Sequence, residues 1–129
     1  MGDRSTTTPY ELIGGEAPVR ALVERFYDLM ESSPDAQPLR RMHAHDLGPM
    51  REKLFEFLSG WLGGPPLYHR RADAKCMSEA HAHYLIGAAE RDQWLACMDR
   101  ALDDVGASED VRAMVRPALR RVAEALRNH

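Results

Sequence analysis

His81-Ala-His-Tyr-Leu-Ile-Gly87, followed after two alanines by Glu90-Arg-Asp-Gln-Trp94, sets an imidazole able to bind a metal thirteen residues before a tryptophan. The second half opens a helix. From Ala88 to Val105, the side chains of Trp94, Leu95, Met98, Leu102 and Val105 fall on one face, and Gly106 ends the run. No common zinc motif has this layout. His81 and His83 lie two residues apart, so on a helix they diverge by about 200° and only one can face a given metal.

Working outward, Val19, Leu22, Val23, Phe26, Tyr27 and Met30 recur at three and four residues and predict a helix from Glu16 to Glu31, stopped by Ser32-Ser-Pro34. Pro9 and Gly14-Gly15 bracket a short leading helix over 10–13, with a corner at the glycines. A brief segment spans Leu39 to His43. Asp46 then caps a helix through Trp61 with Met50, Leu54, Phe57, Leu58 and Trp61 as its buried stripe, stopped by Gly63-Gly-Pro-Pro66. Leu67 to Ala80 reads as an irregular polar loop leading into a short helix that carries His81. Ser108 caps a last helix with Val111, Met114, Val115, Val122 and Leu126 inward, and Pro117 is expected to kink it. No strand alternation and no repeat is present, so the expected class is all-α.

One domain fits 129 residues, with residues 1–8 as a flexible tail and 9–129 as the globule. A formal charge of -3 offers no basic field for nucleic acid or an anionic membrane. No segment reaches the roughly 20 apolar residues of a membrane span, and the start has no secretory core, which predicts a cytoplasmic protein. Cys76 and Cys97 form neither a CxxC pair nor a disulfide framework and are expected to remain thiols.

Three separated blocks, Arg25-Phe-Tyr27, Lys53-Leu-Phe-Glu-Phe-Leu-Ser-Gly-Trp-Leu-Gly-Gly-Pro65 and Glu90-Arg-Asp-Gln-Trp-Leu-Ala-Cys-Met98, together resemble a group II truncated haemoglobin over residues 10–102. The resemblance implies a two-over-two helical globin sandwich that binds haem b (iron protoporphyrin IX). It selects His81 as the proximal iron ligand, because Tyr84, Ile86 and Trp94 follow at the family's intervals; His83 stands where the family usually has proline. It matches Tyr27 and Trp94 to distal hydrogen-bond donors and His43 to another distal position. Met50 falls where many globins place a distal histidine, and Lys53 matches a basic position that can pair with a haem propionate. Leu54, Phe57, Tyr68, Met77, Tyr84, Ile86 and Met98 would line the porphyrin. The chain departs from the family before His81: Asp73-Ala-Lys-Cys-Met-Ser78 replaces the usual Gly-His-Pro-x-Leu-Arg, and Ala80 replaces an arginine.

The implied ligand is dioxygen or another diatomic gas, with a reductase as a candidate partner and the chain a monomer or weak homodimer. Nitric oxide and peroxide chemistry remain open, as does ligation of iron by His43 or His83. Dioxygen bound to haem carries partial negative charge, so a phenol and an indole N–H aimed at it stabilise that state. At about 0.5–1.5 kcal/mol each, two donors would slow gas loss by roughly ten- to a hundredfold. Two other readings stand beside this one. In the first, His43/His45 and His81/His83 hold a non-haem metal, although an HxH pair aligns its rings on a strand and none is expected here. In the second, the chain is a cofactor-free helical interaction domain in which every aromatic is core.

Overall fold

Thr8 starts the first helix by a reciprocal cap: its hydroxyl accepts from Glu11 N–H at 3.1 Å, and the Glu11 carboxylate accepts from Thr8 N–H at 3.0 Å. This helix, α1 (Pro9–Ile13), ends at Gly14 and Gly15, whose φ values of 112° and 89° turn the chain sharply into α2 (Glu16–Ser32). The computed structural model describes residues 8–82 and 84–128, and of residues 77 and 78 only the backbone. The reading of His83, and that of the Met77 side chain, lie outside the described residues.

A 3-10 turn, Pro34–Ala36, leads into α3 (Gln37–Arg41); then follow α4 (Gly48–Trp61), a second turn at Tyr68–Arg70, α5 (Met77–His81), α6 (Ala88–Asp104) and α7 (Glu109–Leu126). Every described regular element is helical. The expected boundaries hold within a residue or two. Asp46, the expected cap, sits one position before the observed one: its carboxylate accepts from Gly48 N–H at 2.9 Å, and Leu47 occupies the cap itself. Ser108 caps α7 by accepting from Val111 N–H at 3.2 Å, and the helix runs through Pro117. No described helix is long and apolar enough to cross a membrane.

α2 is the centre of the molecule. Val19, Val23, Phe26 and Met30 are wholly buried, and the helix packs on both α4 and α6 while α6 packs on α7. At roughly 1.5–3 kcal/mol for each large apolar side chain removed from water, this face dominates the fold. Ion pairs fix the angle of α4 against it: Arg20 pairs with Glu52 at 2.8 Å and lies 3.8 Å over the Phe55 ring, while Arg51 pairs with Glu24 and Asp28.

Two apolar stripes differ from expectation. On α4 the residues facing α2 are Phe55 and Leu58, with Ser59 beside them, whereas Met50, Leu54, Phe57 and Trp61 are only half-buried. The helix is apolar on two sides, and periodicity alone does not say which side a neighbour covers. On α7, Leu119 and Ala123 continue the buried row from Val111 and Val115, and Met114 lies off its edge at 45% exposure. α4 packs on α2 and the Tyr68–Arg70 turn, and α5 packs on α7. No comparable interface joins α4 to α5 or α6 among the described residues.

Candidate functional site

Tyr27, 3% exposed, stands on the buried face of α2, the helix that packs on both α4 and α6. The adjacent Phe26 ring links two residues far apart in sequence: it meets Tyr27 edge-on at 4.9 Å between centroids and Trp94 at 5.3 Å. His43, just beyond α3, meets the Tyr27 ring edge-on at 6.1 Å. The sequence thus delivers Tyr27, Trp94 and His43 to one cluster from three elements, with Phe26 as the connecting ring.

Tyr27 and Trp94 both carry a donor without a partner. Among the described residues, neither the Tyr27 hydroxyl nor the Trp94 indole N–H makes a hydrogen bond, and neither is among the polar atoms sealed from solvent. Both donors therefore stay available to an acceptor that the polypeptide does not supply. Burial pushes the Tyr27 phenol far above its ordinary pKa, with the Arg51 guanidinium, 5.6 Å over its ring, pulling weakly the other way. Tyr27 therefore stays protonated and can donate.

His43 plays the opposite part. Its Nδ1 lies 2.9 Å from the Leu39 carbonyl, which can only accept, so Nδ1 holds the proton and Nε2 keeps the lone pair. Burial lowers its pKa; the Leu39 bond acts against that, and the charges of Arg40 and His81 add to it. The imidazole is neutral at pH 7 and presents an acceptor. His81 itself is half-buried at the end of α5.

The remaining residues take varied places. Met50, Leu54 and Phe57 form the half-buried α4 stripe, and Lys53 beside them has no anionic partner among the described residues. Tyr68 is buried; its hydroxyl donates to the Lys75 carbonyl at 3.0 Å and accepts from Lys75 N–H at 3.2 Å, while its ring meets Phe57 edge-on. Tyr84 is 46% exposed, Ile86 is half-buried, and Met98 is buried in the core. Sequence reasoning passed over three residues. Phe26 was visible beside Tyr27. Gln93, next to Trp94, accepts from Leu39 N–H at 3.1 Å and so ties α6 to the helix that carries His43. Asn128 binds the segment after His81 and left no local signal.

An imidazole, two neutral donors, a half-buried apolar stripe and a lysine with no anionic partner among the described residues are the groups that could hold a haem, supplying an iron ligand, polar contacts to its gas, an apolar wall and a propionate contact. Among the described residues no three His, Cys, Asp or Glu side chains gather as a non-haem metal would require, so that alternative is not favoured. Fold and site together define a globin of the two-over-two helical kind.

The family model for bacterial-like globins matches residues 8–128. A group 2 truncated hemoglobin of Bacillus subtilis, YjbI, is 35% identical over 109 residues, covering 84% of this chain and 80% of its own. Among solved structures, a group II 2-on-2 hemoglobin from Agrobacterium tumefaciens superposes with a TM-score of 0.91 at 39% identity, covering 99% of this chain and 98% of its own. A cold-adapted truncated hemoglobin from Pseudoalteromonas haloplanktis TAC125 gives 0.90 at 37% identity, covering 95% and 99%. The chain belongs to the bacterial-like globins and, within them, to the group II truncated haemoglobins, a family of haem proteins that bind diatomic gases.

Proposed function

We propose that this protein binds haem b through His81 and retains a diatomic gas, dioxygen first among them, beneath the Tyr27 hydroxyl and the Trp94 indole. The observation that supports the reading is the clustering of Tyr27, Trp94 and His43 around the Phe26 ring in a chain of a haem-binding family, with the Tyr27 and Trp94 donors unpaired among the described residues. When bound, haem supplies the iron that takes the gas and changes redox state.

The chain's own residues do the rest. Tyr27 and Trp94 donate to a ligand that gathers negative charge, and Tyr27 keeps its proton across the physiological range because burial disfavours the phenolate. His43 Nε2 accepts, so it orients a neighbouring hydroxyl or water rather than competing as a donor. With haem bound, Met50, Leu54 and Phe57 would exclude water from the wall formed by α4, Lys53 would pair with a propionate, and Ile86, Tyr84 and Met98 would flank the porphyrin. Tyr68 supports Phe57 and holds the 68–75 loop through both bonds to Lys75. A pocket with two donors favours retention or reaction over ready release. Nitric oxide dioxygenation or peroxide turnover would in addition need electrons from a reductase.

Absorption spectra of the purified protein, as isolated, reduced and exposed to carbon monoxide, with hemin added if it is colourless, test the reading. A Soret band that shifts with carbon monoxide is expected. Failure of hemin to bind specifically would overturn it.

A further inference from the structure

His81 ends a helix of five residues, too short to hold its own shape, and no described residue from 79 to 88 belongs to the hydrophobic core. Six residues, 82–87, then lead to α6. Besides the packing of α5 on α7, polar ties hold this segment. Tyr84 N–H donates back to the His81 carbonyl at 3.1 Å, and Gly87 N–H donates to the Glu90 carboxylate at 2.8 Å.

Beyond the adjoining turns, the described hydrogen bonds to residues 82–87 come from Asn128. Its backbone N–H donates to the Ile86 carbonyl at 2.8 Å, its Oδ1 accepts from Ile86 N–H at 2.8 Å, and its Nδ2 donates to the Tyr84 carbonyl at 2.7 Å. Asn is suited to this because one amide supplies an acceptor and a donor at fixed spacing. The clamp has a firm base: Arg91 at the start of α6 pairs with Glu124 on α7, and α5 rests on α7. The chain of bonds therefore runs from α7 through Asn128 to Tyr84, and from Tyr84 to the backbone of His81.

We propose that Asn128 is a positioning residue for His81, holding the 84–86 segment so that the imidazole is presented to iron in one pose. The proposal rests on the haem reading above. Without the clamp the 84–86 segment would be held by its short turns alone while α5 kept its packing on α7, and the iron–histidine bond would sample a wider range of geometries.

The test compares wild type with Asn128→Ala, which removes both side-chain bonds, and Asn128→Asp, which keeps the acceptor for Ile86 and loses the donor for Tyr84. In the apoprotein, amide exchange at Ile86 should quicken about tenfold in Asn128→Ala, as expected for losing two ordinary side-chain hydrogen bonds. In the hemin-loaded protein, transfer of hemin to a scavenging apoglobin should quicken about tenfold, and the iron–histidine stretching band of the ferrous form should shift or broaden. Asn128→Asp should fall between. Unchanged Ile86 exchange would overturn the clamp; faster exchange with hemin loss and stretching band as in wild type would overturn the positioning role. If wild type binds no hemin, the haem reading fails and the positioning proposal falls with it. The Ile86 exchange rates, measured without hemin, identify that failure separately.

Discussion

The Tyr27 ring meets the His43 imidazole edge-on, 6.1 Å between centroids and at 78°, with the His43 proton committed to the Leu39 carbonyl. A protonated phenol thus stands beside a neutral imidazole whose lone pair is free, and the phenol is the donor of the two. Replacing Tyr27 by Phe removes that donor while keeping the ring. Oxygen dissociation, followed by stopped-flow displacement with carbon monoxide, should quicken roughly 2- to 12-fold, the equivalent of one hydrogen bond of about 0.5–1.5 kcal/mol. An unchanged off-rate would remove Tyr27 from the donors.

His81 lies outside the core cluster, so His81→Ala should leave the helical circular dichroism intact while hemin retention collapses. Added imidazole should restore part of the wild-type spectrum by filling the place of the lost ring. Wild-type retention in the variant would show that another residue binds the iron.

The same burial that keeps Tyr27 protonated links stability to alkaline pH. Its pKa is raised in the folded state above the ordinary value of 10.0, by burial first, against a weaker opposing pull from Arg51. A raised folded value means that the contribution is fully present below the unfolded pKa and is lost as pH climbs toward the folded one. Between about pH 9 and about pH 11 the urea midpoint of the apoprotein should fall more steeply for wild type than for Tyr27→Phe. Parallel curves would contradict the assignment.

Gly64 is set by a neighbour as well as by its turn. A Cβ there would lie 2.5–2.7 Å from three carbons at the base of the Tyr10 ring, in the helix whose Tyr10 N–H donates to the Leu62 carbonyl at 2.9 Å. Gly64→Ala should push α1 off the body and cost about 1–3 kcal/mol in urea unfolding. Adding Tyr10→Ala should relieve part of that cost. A neutral Gly64→Ala would mean that α1 yields without loss.

The two thiols should separate cleanly. Cys76 is exposed, whereas Cys97 is buried and its thiol is pushed up by that burial. A disulfide reagent should modify Cys76 promptly and Cys97 only as fast as the fold opens. Equal rates in native conditions would count against the packing of α6 on α2.

Most of the helical frame was legible from residue order. Amphipathic spacing outlined α2 and α6, glycines marked the start of α2 and the end of α6, and Ser108 announced α7. The α4 stripe was legible as apolar but not as to its covering: Met50, Leu54, Phe57 and Trp61 read as core and are half-buried, while Phe55 takes the place against α2. Met114 and Leu119 show the same limit on α7. A periodic pattern identifies an apolar face; only the neighbouring element decides whether that face is sealed.

By itself the sequence determined the helix limits, the thirteen-residue interval from His81 to Trp94 and the chemical identity of each candidate group, because capping, turn and amphipathic preferences act within a few residues. Tertiary structure alone decided that Phe26 joins Tyr27 to Trp94, that Phe55 and Leu58 form the sealed side of α4, and that Asn128 reaches back 42 residues to Ile86. Those relationships depend on how α2, α4, α6 and α7 lie across one another. That arrangement is set by the burial of all their faces at once, and no local stretch encodes it.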